Sequence, residues 1–267
     1  MSDHVPHPTP SPDVNAVLQA LLAGVQAVLG DYFVGLYVHG SVASADFDPQ
    51  RSDIDFLVVT TAELPDEMLP SLAAMHARLT ASGLPLVRQL EGSYIPQQAL
   101  RRYDPARIQH PALRVDGSFA VDEHRSDWVI QRHIIREKGI VVAGPAPQTL
   151  IDPVQPNDLR RAVLGILRDW WSPPFPAPER FRRSEYQAYA VLTMCRALYT
   201  LQHGTVVPKP VAARWAQETL DGRWAALIAW ALAWRHDAPT DNLHEMLDFI
   251  CYTLARSQQF AIPAAPE

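Results

Sequence analysis

Residues 40–55 read Gly-Ser-Val-Ala-Ser-Ala-Asp-Phe-Asp-Pro-Gln-Arg-Ser-Asp-Ile-Asp, with an apolar run on either side. Gly40 and Ser41 follow one run, and Asp53 and Asp55 open the next. Residues i and i+2 of a β-strand point to the same face, so the two carboxylates project side by side. Mg²⁺ binds through one or two carboxylates plus substrate phosphates, and backbone N–H groups of a turn can hold a phosphate. The stretch therefore predicts a magnesium and phosphate site between two strands.

The surrounding sequence predicts an α+β domain over residues 13–150, with a mixed sheet and flanking helices. Asp13 is the expected N-cap of the first helix. Residues 96–118 are expected to form loop with a short helix. Hydrophobic periodicity predicts helices at 14–29, 66–80 and 128–137 and strands at 33–38, 54–59, 84–95 and 140–143.

The second half of the chain predicts a C-terminal α-helical bundle over residues 151–260. A proline-rich stretch, 172–178, is too rigid for regular structure. Residues 1–12 are expected to form a flexible Pro-rich tail, and residues 261–267 a second tail. The predicted helices of the bundle are 158–171, 185–202, 211–220, 223–234 and 243–260.

Composition narrows the function classes. The formal net charge of −6 and pI near 5.9 argue against a general nucleic-acid binder and suit a cationic substrate. Cys195 and Cys251 form neither a disulfide framework nor a metal cluster, which favours a reducing cytoplasm. No apolar run reaches the roughly 18 residues of a membrane span, and the N-terminus lacks the features of a signal peptide. We therefore expect a cytoplasmic protein that contacts neither membrane nor nucleic acid.

Glu91 supplies a third carboxylate on the next predicted strand. The order strand, helix, strand makes the two acid-bearing strands plausible neighbours in the sheet. Three carboxylates around Mg²⁺ suit phosphoryl or nucleotidyl transfer. A lone Asp-x-Asp usually marks solvated acids or a helix cap. The joint pattern of Gly-Ser turn, Asp53, Asp55 and Glu91 is far more specific.

This pattern resembles the signature of the nucleotidyltransferase superfamily. That signature is a hydrophobic residue followed by Gly and Gly or Ser, then two acids around a hydrophobic residue, then a carboxylate on a later strand. Further segments resemble one branch, the streptomycin/spectinomycin 3''- or 9-adenylyltransferases with their appended helical domain: 35–41, 51–58, 142–145, 151–154, 189–199 and 208–216. The resemblance spans about residues 14–235 and implies transfer of AMP from ATP to an aminoglycoside or aminocyclitol hydroxyl, with Mg²⁺ present, pyrophosphate leaving and antibiotic resistance as the result.

The resemblance also implies roles for particular residues. Asp53 and Asp55 match the magnesium ligands. Glu91 matches the catalytic base, and we also expect it to be a metal ligand together with Asp53 and Asp55. The remaining positions match residues that contact ATP: Gly40, Ser41, Ser52, Asp127, Arg196 and Lys209.

Three of these positions have competing interpretations. Asp127 could instead be the N-cap of the helix that starts at Trp128. Arg196 lies in an otherwise apolar helical stretch, which is unusual for an arginine without a partner and supports a functional role. Lys209 lies between two prolines, in a rigid loop that could aim it at a phosphate. Its alternative is an ordinary surface lysine.

The acceptor is less defined, because the sequence departs from the streptomycin-modifying members. Those members carry a tryptophan in the loop after the third strand, whereas here there is none between Glu91 and Trp128. The stretch 178–186 is mostly basic or aromatic where relatives have drug-binding acids, and Trp234-Arg235 stands where relatives have a tyrosine near the nucleotide. The acids that could bind a cationic acceptor instead are Glu179, Glu185, Asp122 and Glu123.

Several acceptors therefore remain open, among them spectinomycin, another aminoglycoside and a hydroxyl compound that is not a drug. One alternative function is an adenylyltransferase acting on another small metabolite or on a protein. Another is a nucleotide-binding regulatory protein, which would have no need of Glu91. We expect the protein to be a monomer.

Overall fold

The computed structural model describes residues 8–44, 46–50, 52–175, 178–235, 241–260 and 262. The chain divides into two compact units, Met1–Pro153 and Val154–Glu267. The predicted domain boundary after residue 150 lies close to this division. Most of the two predicted tails lies outside the described residues, namely 1–7, 261 and 263–267.

The first unit is built around a mixed six-stranded sheet with the strand order β5-β4-β3-β2-β1-β6. Strands β2 and β3 are parallel, and the other neighbouring pairs are antiparallel. This arrangement confirms the predicted α+β class. The elements are α1 (Pro12–Leu29), β1 (Phe33–Val38), α2 (Gly40–Ala43), β2 (Ile54–Thr60), α3 (Leu69–Thr80), β3 (Leu90–Pro96), α4 (Gln97–Arg101), β4 (Gln109–Leu113), β5 (Phe119–Glu123), α5 (Asp127–Lys138), β6 (Ile140–Ala143) and α6 (Pro147–Leu150).

Helix α1 covers one face of the sheet together with α3. The helix starts two residues earlier than predicted, and its N-cap is Ser11 rather than Asp13, because the Ser11 hydroxyl accepts from the Val14 N–H at 3.4 Å. By length and hydropathy alone, the segment Pro12–Tyr32 would be able to cross a membrane, which the sequence analysis did not anticipate. Its apolar face instead packs in the core with β1, β2 and α3: Val14, Val17, Leu18, Leu21, Val25 and Leu29.

The opposite face of the sheet packs against α4, α5 and α6. Alternate residues of the central strands point to this side, as the period of two requires, among them Tyr37, Leu57 and Ile95. Asp55 lies two residues before Leu57 in β2, so it shares this face. The buried cluster thus lies directly beside the end of the sheet that carries the acids.

Two strand predictions were wrong. The strand predicted at 84–95 begins at Leu90, because Leu86 adopts a left-handed φ of 63° and a 3-10 turn, Val87–Gln89, follows it. Strand β4 lies within residues 96–118, which were predicted to form loop with a short helix, and β5 follows this region at 119–123, where no strand was predicted. They form a hairpin whose register runs from Gln109 opposite Glu123 to Leu113 opposite Phe119.

The second unit is helical, as predicted. Its elements are α7 (Pro156–Trp170), α8 (Ser184–His203), α9 (Lys209–Thr219), α10 (Ala225–Ala233) and α11 (Leu243–Ser257). Helix α8 packs against each of the other four. Small buried residues on α9 allow close approach to α8: Ala212, Ala213 and Ala216.

Candidate active site

The acid-bearing ends of β2 and β3 lie side by side. The parallel register places Asp55 directly opposite Glu91, and Asp53 precedes β2 by one residue. Paired residues of neighbouring strands point to the same face, so both carboxylates project on the side of α4, α5 and α6. The structure therefore brings together Asp55 and Glu91, which are 36 residues apart in the sequence.

The Gly40-Ser41 turn is attached to this acid-bearing strand. The His39 N–H donates to the Asp55 carbonyl at 3.0 Å, and the Ser41 hydroxyl donates to the Asp53 carbonyl at 3.4 Å. Gly40 has a φ of +62°, and a Cβ at this position would overlap with Oδ2 of Asp55. A side chain is thus excluded at Gly40 by both backbone conformation and space. A single helical turn, α2, starts here.

Ser52 belongs to the loop that leads into β2. Its hydroxyl accepts from the Asp48 N–H at 3.0 Å, and its own N–H donates to the Asp48 carbonyl at 2.8 Å. These two bonds hold the backbone immediately before Asp53 in a closed turn. The structure therefore places Ser52 one residue from the acid pair.

The pKa of Glu91 departs clearly from the ordinary value of a glutamate. Burial raises its pKa to about 7, with further contributions from the negative charges of Asp55, Asp53 and Asp122. Each of these effects disfavours the charged form of the carboxylate. A proton acceptor works best when its pKa lies near the operating pH, so Glu91 is suited to accept a proton from a hydroxyl group.

Asp127 is the first residue of α5 and not its N-cap, which is Ser126. Burial raises the pKa of the Asp127 carboxyl, and hydrogen bonds from backbone groups partly oppose this shift. The segment before it is fixed to β3, because His124 Nε2 lies 3.0 Å from the hydroxyl of Ser93. Ser93 is two residues from Glu91, so the start of α5 is linked to the strand that carries Glu91.

Sequence reasoning missed the buried polar residues that support this region. The His124 ring stacks on Trp128 with centroids 3.7 Å apart and planes 11° apart. Arg132 is 2% exposed and donates to the carbonyls of Leu100 at 3.0 Å and Ala99 at 2.8 Å. These contacts join α5 to α4, which follows β3. Neither residue belongs to a sequence motif, so only the fold identifies them.

Arg196 and Lys209 belong to the helical unit. Arg196 is half-buried on α8. Lys209 was predicted to lie in a loop, but it is the first residue of α9, and its Nζ lies 4.6 Å from the centroid of the Tyr189 ring. Proline is tolerated in the first helical turn, which explains why Pro210 does not prevent the helix. Contact of either cation with a nucleotide stays a prediction.

The acids suggested for a cationic acceptor mostly pair with arginines. Glu123 accepts from Arg125 at 2.6 Å, and Glu185 accepts from Arg183 at 2.7 Å. Glu179 lies in a short 3-10 turn. Asp122 pairs with Arg114, whose Nε lies 3.0 Å from its carboxylate, and the charge of Asp122 also raises the pKa of Glu91. Among these four acids, Asp122 is therefore the one whose charge acts on Glu91.

The donor set fits a magnesium site that a substrate completes. Within the described parts of the chain, no group of three or more His, Cys, Asp or Glu side chains is arranged to hold a metal by itself. Mg²⁺ seldom uses an all-protein cage, and it usually binds one or two carboxylates together with waters and substrate phosphates. Asp53 and Asp55, at the Gly-Ser turn, supply carboxylates of this kind.

Comparison with known proteins agrees with this arrangement. Residues 149–254 match the family model described as aminoglycoside adenylyltransferase, C-terminal domain. An aminoglycoside (3'') (9) adenylyltransferase from Escherichia coli is 26% identical over 260 residues, covering 90% of this chain and 93% of the relative. A spectinomycin 9-adenylyltransferase from Staphylococcus aureus is 28% identical over 225 residues, covering 80% and 82%.

The fold is shared with a solved structure. The crystal structure of a spectinomycin adenyltransferase from Enterococcus faecialis with ATP and spectinomycin matches 90% of this chain and 98% of that chain, with a TM-score of 0.71 and 19% identity. The sequence similarity extends over both units, and the family model covers most of the helical one. The chain is thus similar along most of its length to aminoglycoside (3'') (9) and spectinomycin 9-adenylyltransferases, and residues 149–254 match the family of their C-terminal domain.

Proposed function

We propose that this protein is an ATP-dependent O-adenylyltransferase that transfers AMP to a hydroxyl of an aminoglycoside or aminocyclitol, such as spectinomycin or streptomycin, and thereby confers resistance. The observation that carries the proposal is the register of Asp55 opposite Glu91 beside the Gly40-Ser41 turn. This arrangement combines carboxylates for a metal with a nearby base of raised pKa. The named activities of relatives that cover most of the chain support the same reaction.

Glu91 acts as the general base in this proposal. It takes the proton of the acceptor hydroxyl while the hydroxyl oxygen attacks the α-phosphate of ATP. A bond forms between that oxygen and the α-phosphorus, the bond from the α-phosphorus to the bridging oxygen breaks, and pyrophosphate leaves. Burial and the neighbouring acids raise the pKa of Glu91 to about 7, which improves it as a proton acceptor.

Asp53 and Asp55 would hold Mg²⁺, which when bound neutralises phosphate charge. The backbone at Gly40 and Ser41, with Ser52 and Asp127, binds the nucleotide in the first unit. Arg196 and Lys209 of the helical unit bind the triphosphate. Asp122 is the acid we assign to a cationic group of the acceptor, because it lies close enough to Glu91 to raise the pKa of the base.

We further propose that the enzyme is a cytoplasmic monomer. Cys195 and Cys251 are free thiols, and Cys251 is exposed, which suits a reducing compartment. The net charge of −6 disfavours binding to nucleic acids. Light scattering of the purified protein would measure its mass against the 29.8 kDa of one chain.

Pyrophosphate release tests the proposed reaction. Wild-type protein is incubated with ATP, Mg²⁺ and one compound from a panel of aminoglycosides and aminocyclitols. Glu91→Gln is the inactive variant, and Glu63→Gln, at an exposed position, is the matched control. We expect release with at least one drug, its loss in Glu91→Gln, and its loss when EDTA removes the metal.

Two outcomes would contradict parts of this proposal. Undiminished release by Glu91→Gln would exclude Glu91 as the base. A wild-type protein that binds Mg²⁺ and ATP but releases no pyrophosphate with any drug would exclude the drug panel as acceptors. The search would then move to metabolites and proteins.

A further inference from the structure

Lys209 is held against an aromatic ring on the surface of the helical unit. Its ammonium lies 4.6 Å from the centroid of the Tyr189 ring, within the roughly 6 Å limit of a cation–π contact. Tyr189 is 42% exposed, so part of this large side chain remains in contact with solvent. A ring face attracts the ammonium without cancelling its charge, in contrast to a carboxylate. This contact therefore orients the ammonium without placing a negative charge beside it.

The path of the chain makes this contact specific. Helix α8 ends at His203, and Tyr189 lies 14 residues earlier, about 21 Å back along the helix axis. Lys209 follows His203 by six residues, which span at most roughly 20 Å. The connection returns alongside α8, and the long side chains of Lys209 and Tyr189 cover the rest of the distance. The backbone of Lys209 is placed by this return, and the ring of Tyr189 places the end of its side chain.

Tyr189 and Arg196 occupy the same strip of α8. They are seven residues apart, which is close to two helical turns and about 10 Å along the axis. Side chains at this spacing lie on one face of a helix. The contact with Tyr189 thus places the ammonium of Lys209 on the strip that also carries the guanidinium of Arg196.

The contact with Tyr189 restricts a side chain that is otherwise flexible, and flexibility weakens lysine as a phosphate ligand. Its ammonium is a compact charge on a flexible stem, and ordering such a side chain on binding costs conformational entropy. A ring that holds the ammonium in the unbound protein removes part of that cost beforehand. Two cations spaced along one strip also suit a polyphosphate, whose charge is spread over several phosphates.

We propose that Tyr189 is a positioning residue for the triphosphate of ATP, acting through Lys209. The inference rests on the proposed function, in which Lys209 and Arg196 bind that triphosphate. Tyr189 itself contacts no substrate, and its hydroxyl has no part in the effect. Its role is to hold the Lys209 ammonium where α9 begins.

Calorimetric titration with ATP in the presence of Mg²⁺ tests this role without any acceptor. The variants are Tyr189→Leu and Tyr189→Gln, which remove the ring, Tyr189→Phe, which keeps it, and Lys209→Ala. Trp170→Leu, at another exposed aromatic residue of the same unit, is the control for general effects. We expect Tyr189→Leu and Tyr189→Gln to raise the Kd for ATP about two- to fivefold, and Tyr189→Phe and Trp170→Leu to leave it unchanged.

The double variant Tyr189→Leu/Lys209→Ala decides whether Tyr189 acts through the lysine. We expect its Kd to equal that of Lys209→Ala alone, since the ring has nothing left to hold. An additional loss in the double variant, or a Tyr189→Phe variant as weak as Tyr189→Leu, would overturn the proposal. So would wild-type affinity in Tyr189→Leu and Tyr189→Gln.

The same titration separates this inference from the proposed reaction. Wild-type affinity for ATP in Lys209→Ala would overturn both the Tyr189 inference and the phosphate-binding role of Lys209. It would leave the transfer of AMP untouched, because pyrophosphate release with Glu91→Gln as the inactive variant tests that reaction independently. Conversely, the wild-type protein could release no pyrophosphate with any drug while the Tyr189 variants weaken ATP binding as expected. That result would exclude the tested drugs as acceptors and leave the Tyr189 inference intact.

Discussion

Gly40 lies against the carboxylate of Asp55, and this contact joins the Gly40-Ser41 turn to the strand that carries the acid. A Cβ on Gly40 would overlap with Oδ2 of Asp55, and the φ of +62° is one that only glycine adopts readily. The turn and the carboxylate therefore fit together only while position 40 has no side chain. This explains in physical terms why a glycine precedes Ser41 in the motif.

The first prediction concerns Gly40→Ala, which we expect to lower the rate of AMP transfer about a hundredfold or more, because displacement of a positioned group by 1 Å can have that effect. The measurement is drug-dependent pyrophosphate release. Gly83→Ala is the matched control, since Gly83 also has a positive φ, +76°, but nothing lies within 4 Å of its Cβ position. Both variants lose some stability through backbone strain, so an equal loss of activity in the two would contradict the role of the Gly40–Asp55 contact.

The second prediction concerns Glu91→Gln. We expect this variant to lose turnover. We also expect its free energy of unfolding at pH 8 to exceed that of the wild type by on the order of 1 kcal/mol, because the substitution removes a buried charge that Asp55 and Asp53 repel. Urea unfolding and pyrophosphate release measure the two effects. The exposed Glu63→Gln variant should change neither. A Glu91→Gln variant that is both inactive and destabilised would instead indicate a structural role for the carboxylate.

Local sequence patterns predicted the central features of the site. The Gly-Ser turn, the Asp53-x-Asp55 pair and the next acid-bearing strand all follow from residues within about fifty positions of one another. The neighbouring placement of β2 and β3 was expected from the order of strand, helix and strand, and the register of Asp55 with Glu91 agrees with it. The residue-by-residue register was not predictable, because the start of β3 depends on the left-handed Leu86.

Other features depended on contacts distant in sequence. The hairpin of β4 and β5 contains Pro111 and a turn at Gly117, and both residue types are local signals of loop structure. Its strands form because β4 pairs with β3 at the edge of the sheet, and this contact is distant in sequence. The bond between Ser93 and His124 joins residues 31 positions apart. Lys209 was assigned to a loop because of its two flanking prolines, although proline is also common in a first helical turn.

The third prediction concerns Arg132, whose guanidinium donates to the carbonyls of Ala99 and Leu100 at the end of α4. We expect Arg132→Met to lower the stability of the first unit by about 2–4 kcal/mol, because it leaves buried carbonyls without donors. Hydrogen exchange of the β2 and β3 amides measures this loss for the unit by itself.

The control for this experiment is Arg125→Met. Arg125 is 48% exposed and pairs with Glu123 at the surface, so its replacement should change the stability by about 1 kcal/mol or less. Equal protection of the β2 and β3 amides in Arg132→Met and wild type would show that the guanidinium does not support the active-site side of the sheet.

The fourth prediction concerns the pH dependence of stability and His76. This residue is buried between the rings of Phe56 and Phe119, and its Nε2 lies 2.7 Å from the hydroxyl of Tyr94. Burial lowers its pKa from 6.5 to about 4. The unfolded chain therefore binds a proton on His76 at a pH where the folded protein does not. The neutral form of His76 therefore costs the folded protein no stability above pH 6.5. As the pH falls from 6.5 toward 4, the free energy of unfolding decreases, because only the unfolded chain gains the proton.

We expect His76 to account for about 2 kcal/mol of the stability lost between pH 7 and pH 5. The test compares Tyr94→Phe, which keeps the histidine, with His76→Phe/Tyr94→Phe, which removes both buried polar groups and so leaves no unsatisfied hydroxyl. Hydrogen exchange of the β2 amides at the two pH values gives the free energy of opening for each protein. The double variant should show the smaller loss on acidification. The other buried histidines with lowered pKa values remain in both variants, so they contribute equally to each: His39, His110 and His124. Identical losses in the two variants would show that His76 is protonated as readily in the folded protein as in the unfolded chain.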